Sequence, residues 1–195
     1  MEALLTVVLA HADTQVREQL TNILTSFGHK LHAVCETTSE LLAACYPKPP
    51  QMIVTGIMLK DGHSIDTLLS ISEIEPTPAV VVTDRDSLAD AEQALKDHVM
   101  AYLVEPVTEE DIKPTIFLAR QRFRQFEELR AENKDLRQAL ADRKVVERAK
   151  GILMASQNLS EDEAYRSLQK LAQSKRKRLV EVADAILTAA ELDAV

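Results

Sequence analysis

Cysteine is scarce: Cys35 and Cys45 are the only two in 195 residues, with no CxxC spacing and no neighbouring histidine cluster. Neither a disulfide framework nor a zinc site is suggested. The four glycines, Gly28, Gly56, Gly62 and Gly151, are scattered, so no glycine-rich loop is present to cradle a nucleotide phosphate. No nucleophile and base pair and no metal-ligand cluster stands out, which argues against an enzyme and against a bound cofactor or metal. No stretch approaches the ~18 apolar residues of a membrane span. The N-terminal run ALLTVVLAHA lacks a basic lead and soon turns polar, so it reads as a buried first strand rather than a signal peptide. The expected location is a reducing cytoplasm.

What is present is a 46% hydrophobic chain with an uneven charge distribution. Residues 1–142 hold 13 Lys and Arg against 23 Asp and Glu; residues 143–195 hold 10 against 8. The formal charges of −10 and +2 make up the −8 of the whole. A polyanion is repelled by the first part and can be drawn to the second, because phosphate neutralisation dominates nucleic-acid affinity.

The first part alternates apolar strands with amphipathic helices. Strands are expected at Thr6 to Ala10, Leu31 to Cys35, Met52 to Thr55, Ala79 to Thr83 and Ala101 to Val104. Helices are expected at Thr14 to Phe27, ended by Gly28, then near Thr38 to Tyr46, Ser64 to Ile74, Leu88 to Lys96 and from Glu109 onward. Five such repeats imply an α/β, doubly wound parallel sheet of flavodoxin-like type, whose functional edge lies at the carboxyl ends of the strands.

At those strand ends the pieces VVLAHAD, MIVTGIMLKDG, VVVTD and AYLVEPVT resemble a response-regulator receiver domain, over roughly Leu5 to Arg122. The resemblance implies a magnesium-holding acid pair after the first strand, a phosphoacceptor aspartate ending the third, a Thr or Ser after the fourth and a Lys before the Pro after the fifth. Those positions here hold His11 and Ala12, Gly56, Thr83, and Glu105 before Pro106. Phosphoryl transfer needs a nucleophilic carboxylate, a cation held by oxygens and a positive charge to balance the product. Gly56 supplies no nucleophile and Glu105 reverses the balancing charge, so residues 1–122 read as a pseudo-receiver. Asp13 and Asp61 are the candidates for a substitute phosphoacceptor, and His11 is either a group titrating near neutrality or a structural histidine.

From Ile112 to about Met154 there is no glycine before Gly151 and no proline after Pro114, which predicts one long helix. Within a linker at 112–146, Phe126, Leu129, Asn133, Leu136 and Leu140 follow the three–four spacing of a coiled coil, with Asn133 at an a position that favours a parallel pair. The expectation is a parallel homodimer; the alternative is a stripe packed back on its own domain.

Beyond it, Asn158 suits a left-handed helix end, and Ser160 with Glu163 forms a capping box for a second helix carrying Ala164, Leu168, Leu171 and Ala172. Leu179, Val182, Ala183 and Ile186 mark a third helix. The pieces ERAKGILM, EDEAYRSLQKLA and the basic stretch before VEVADAIL resemble the ANTAR domain, the output module of AmiR- and NasR-type transcription antiterminators, over 134–195. The layout is nearest the NasT-like nitrate-assimilation regulators and the amidase-operon antiterminator. Asn158 replaces a frequent Gly and Gln173 a frequent Met.

The resemblance implies binding of a nascent leader mRNA with two small hairpins, so that a terminator cannot form. Expected RNA contacts are Arg148 and Lys150 projecting beside Gly151, Tyr165 as a stacking group or a core residue, and Lys170, Lys175, Arg176, Lys177 and Arg178 at the second interhelical turn, with Lys150 and Arg176 foremost. A dimer suits two hairpins through effective concentration. The dead phosphorylation site implies control by a ligand-sensing protein partner. The competing readings are a DNA-binding regulator with a helix-turn-helix output, and a protein adaptor.

Overall fold

The computed structural model describes residues 4–84 and 99–193. It divides into two compact units, Met1–Glu127 and Glu128–Val195.

The first unit is a five-stranded parallel sheet: β1 (Thr6–Ala10), β2 (Lys30–Cys35), β3 (Met52–Gly56), β6 (Ala79–Thr83) and β7 (Val99–Val104), in the order β2-β1-β3-β6-β7. The three inner strands are near-continuous runs of buried apolar residues because helices cover both their faces. The edge strand β2 alternates exposed and half-buried positions. Val7, Leu9, Val54, Val80 and Val82 pack on one face with Leu20 and Leu24 of α1 (Thr14–Ser26) and with Ile112 and Ile116 from the start of α4 (Glu109–Gln157). Val8, Ala10, Ile53 and Val81 pack on the other with α2 (Thr38–Cys45) and α3 (Ser64–Ile74). Gly28 follows α1 at φ 81, a conformation glycine adopts without steric cost, and a Cβ there would lie 2.9 Å from Leu4.

Two features differ from the sequence expectation. A two-stranded hairpin, β4 (Met58–Leu59) with β5 (Gly62–His63), follows β3; four ladder residues are too few to leave a period. β7 begins at Val99, two residues before the expected strand. The expected helix Leu88 to Lys96 lies outside the described residues.

The second unit joins the end of α4 to α5 (Glu161–Lys175) and α6 (Leu179–Asp193). Its core is Ala149, Leu153, Ala164, Leu168, Ala172, Val182, Ala183 and Leu187. Asn158 ends α4 at φ 52, and Ser160 with Glu163 caps α5 reciprocally.

The hairpin explains one acidic residue. Asp61 reaches from it to the start of α2, accepting from the Thr38 amide at 2.6 Å, the Thr38 hydroxyl at 3.0 Å and the Ser39 amide at 3.3 Å. These donors, the Thr38 amide first, hold its carboxyl below the usual range against a smaller opposing effect of desolvation. A depressed folded value means the contribution is present above the unfolded pKa and is lost as pH falls through the folded one. Asp61→Ala should therefore lower the thermal midpoint by roughly a few degrees at pH 7. The difference from wild type should shrink on acidification below about pH 4 in parallel calorimetric scans.

Candidate functional site

In the first unit the sheet brings β1 and β3 side by side, with Ala10 opposite Thr55, and the residues that follow them meet. His11 is buried, and its ring lies over Gly56 so closely that a Cβ at position 56 would be 2.7 Å from His11 Cδ2. The imidazole thus fills the space a side chain on residue 56 would need. The Asp13 amide donates to His11 Nδ1 at 3.1 Å, an arrangement that suits a proton on Nε2, which faces Glu105 Oε1 at 3.2 Å. Glu105 is in turn placed by its amide, which donates to the Thr83 carbonyl. Thr83 is buried, its hydroxyl donating to the Asp84 carbonyl at 3.2 Å.

Ala12 contributes only backbone. Arg17 Nη1 donates to the carbonyls of His11 at 2.7 Å and Ala12 at 3.4 Å, and Nη2 reaches Glu36, which also holds Lys60 at 2.6 Å. A guanidinium therefore sits against the loop where the resemblance implied a magnesium-holding acid pair. Sequence reading missed Arg17 because nothing in its spacing links it to residues 11 and 36. Both proposed substitute acids are committed elsewhere. Asp13 caps α1 by accepting from Gln15 and Val16, which lowers its pKa, the Val16 bond contributing most. Asp61 caps α2 as described.

In the second unit, the expectation that Lys150 projects outward is corrected. It is 8% exposed, with Nζ 2.6 Å from Glu147 and 2.7 Å from Glu161. Those two hydrogen bonds raise its pKa, Glu147 first. Its ammonium joins α4 to the first turn of α5, a role hidden in the sequence because Glu161 lies across a turn.

Gly151 is exposed and a Cβ there would meet only open space. Arg148 is exposed, 3.6 Å from an exposed Glu191, and Arg178 reaches Asp142 at 2.9 Å. Lys170, Lys175, Arg176 and Lys177 are exposed around the turn joining α5 to α6, where Arg176 itself is left-handed at φ 53. Tyr165 is 40% exposed and lines a cleft of about 710 Å³ with Arg143, Val146, Asp162, Arg178 and Leu179. Its ring is therefore reachable from solvent.

The expected apolar seam divides. Phe126 is half-buried and packs on the core of the first unit, so it is removed from the seam. Leu129, Leu136 and Leu140 are 66%, 58% and 61% exposed, and Asn133 is exposed with them.

The close approach at Gly56 makes a direct prediction. Gly56→Ala should destabilise the protein by about 1–3 kcal/mol through overpacking. The penalty should largely vanish in a His11→Ala background, giving a clear coupling in a denaturant double-mutant cycle. Additive effects would show that the ring does not hold this position.

The response regulator receiver domain family matches residues 7–117, and the ANTAR domain matches residues 134–187. The chain is 29% identical to the transcriptional regulatory protein PdtaR of Mycobacterium tuberculosis, over 93% of this chain and 88% of that protein. A segment covering 39% of this chain is 38% identical to the nitrate regulatory protein of Klebsiella oxytoca, spanning 19% of that protein. Among solved structures, the signal receiver domain of a modulated diguanylate cyclase from Desulfovibrio desulfuricans G20 is similar with a TM-score of 0.55 at 17% identity, covering 63% of this chain and 98% of that one. That likeness bears on the fold of the sheet unit. With a receiver-type sheet at 7–117 and an ANTAR domain at 134–187, the chain belongs to the response regulators that carry an ANTAR output domain.

Proposed function

We propose that this regulator is an RNA-binding transcription antiterminator. It binds tandem hairpins in a nascent leader mRNA through its ANTAR domain and so prevents a terminator hairpin from forming. The observation that carries the reading is the ANTAR match over a unit whose turn at Lys175 to Arg178 presents exposed cations, Arg178 lining a cleft with a solvent-reachable Tyr165. Cations meet phosphates, while an aromatic face takes an unstacked base. Arg148 and Gly151 belong to the same proposed surface; Lys150 supports it from within.

The active form in this reading is a parallel homodimer closed along Leu129, Asn133, Leu136 and Leu140. Three leucines more than half exposed on one helix are costly in water and are covered by an equivalent stripe on a second copy. Two modest hairpin sites on one scaffold then gain avidity.

Control runs through the first unit without aspartyl phosphate. The ring over Gly56 and the carboxylate at 105 support this, since one removes space for an acceptor and the other repels a phosphoryl group. The signal is delivered by a ligand-sensing protein that binds or releases the dimer. Intact-mass spectrometry after incubation with acetyl phosphate and magnesium should show no acid-stable, hydroxylamine-sensitive adduct of a phosphoryl group; such an adduct would overturn this part.

The RNA reading is tested by gel shift with tandem-hairpin, single-hairpin and duplex DNA probes. The tandem RNA should be bound preferentially. Arg176→Gly is the informative variant, because glycine removes the cost of a left-handed arginine, about 1 kcal/mol. It should keep or raise the thermal midpoint and yet bind RNA several-fold more weakly. Preference for the duplex DNA would overturn the reading in favour of a DNA-binding output.

A further inference from the structure

The part of α4 that lies in the second unit separates its charges by side. At about 3.6 residues per turn, Arg130, Lys134, Arg137, Lys144 and Arg148 fall on one face of the helix, and all five are exposed. None of the described acidic residues of this segment shares that face. Glu128, Glu132, Asp135 and Asp142 lie on the far side, and Glu147, on the flank, is turned to Lys150. Between and beyond the cations the same face carries Ala141, Gly151 and Ala155, so its floor is low. The leucines Leu129, Leu136 and Leu140 run alongside, on an adjacent strip.

The basic face spans nineteen residues from Arg130 to Arg148, about 27 Å along the axis. It presents long, flexible cations without an aromatic platform. Such a row neutralises phosphates and reads no bases. Glu191 approaches this face 3.6 Å from Arg148, and both groups are about two-thirds exposed or more. An exposed pair of that kind exchanges readily for a phosphate, since its net worth in water is small.

We propose that this face of α4 is a further RNA surface, continuous with Arg148 and Gly151 of the surface proposed above, which lies along the sugar-phosphate backbone of a hairpin stem. The proposal rests on the RNA-binding reading given above. The charge complementarity of a straight cationic row with a double-stranded stem selects the stem over a single-stranded segment, which binds through stacking groups this face lacks. The helix is therefore part of the ligand-binding surface as well as a connector.

Lys134→Gln with Lys144→Gln tests it. Both positions are exposed and are absent from the surface around Arg176; Lys134 faces away from the apolar seam and Lys144 lies past its last leucine, Leu140, so mass in solution is followed as well. Arg137 borders the seam and is left in place. Binding is measured with one hairpin at several salt concentrations, and also with that hairpin's loop sequence as an unstructured oligonucleotide, alongside sedimentation and circular dichroism. The expected result is a hairpin Kd raised ~10-fold near 0.15 M salt and a slope of log K against log salt reduced by roughly two, since each lost cation removes about one released counterion. Binding of the loop oligonucleotide, mass in solution and helicity should stay the same. Hairpin binding and slope equal to wild type would overturn this proposal and leave the RNA reading intact. An equal loss on the loop oligonucleotide would also overturn it, by moving the two lysines to loop recognition. Failure of the wild-type protein to bind any hairpin would remove the RNA reading and this proposal with it.

Discussion

The pairing register of β1 on β3 is the constraint from which the first unit's chemistry follows. Parallel strands run the same way, so the residues after both strands emerge at one edge, and Ala10 opposite Thr55 sets His11 beside Gly56. A ring there requires a neighbour without a Cβ, and a glycine there leaves a gap that a ring fills. The two residues are one substitution in physical terms. Glu105 completes it: the position beside His11 Nε2 holds a hydrogen-bond acceptor, where the resemblance to a working receiver called for a cation. Where the resemblance implied acids balanced by a metal and a phosphate, the loop is held by the protein's own side chains, with the Arg17 guanidinium against its carbonyls.

A second constraint is the single helix α4, forty-nine residues long, which contributes Ile112 and Ile116 to one core and Ala149 and Leu153 to another. Between those ends it has no core to bury in, and its middle is exposed on every side. A helix of that kind is unstable by itself unless its ends are anchored and its surface is covered. Both anchors are present in this chain. The surface divides into a leucine strip and a basic face, and each of these has a distinct chemistry of complement.

Much of this was legible in the sequence, for reasons that differ by element. β1, β3 and β6 are short β-branched runs between turn residues and need no tertiary information. Asn158, Ser160 and Glu163 are recognisable because capping is a local interaction three residues long. The losses at 11, 56 and 105 are visible as residue types, but the way they fit is not. That His11 occupies the space over Gly56 and faces Glu105 depends on contacts across 45 and 94 positions. Lys150 was misjudged for the same reason: a lysine on an exposed-looking turn of helix is drawn inward by a carboxylate from the next helix. Phe126 fits the heptad by spacing, and only the packing of the receiver core decides against it. The hairpin at 58–63, and with it the purpose of Asp61, left no pattern to read.

Two positions in the second unit break a local rule without an internal gain. Arg176 holds a left-handed conformation that glycine or asparagine adopts more cheaply, and its side chain is exposed. Gly151 interrupts a helix where alanine would fit, since a Cβ there meets nothing within 4 Å among the described residues. A helical glycine whose missing Cβ would meet open space, and an arginine at the left-handed end of α5 where glycine or asparagine would serve, are each a net cost when the described residues are considered alone. Asn158 is the instructive contrast: its residue type suits φ 52, and nothing further has to be explained. Costs that the fold does not offset mark where selection acts on something outside the chain. Both positions lie toward the ends of helices bearing exposed cations, and under the proposed function the close approach of a polyanion would use a missing side chain at one and an exposed guanidinium at the other.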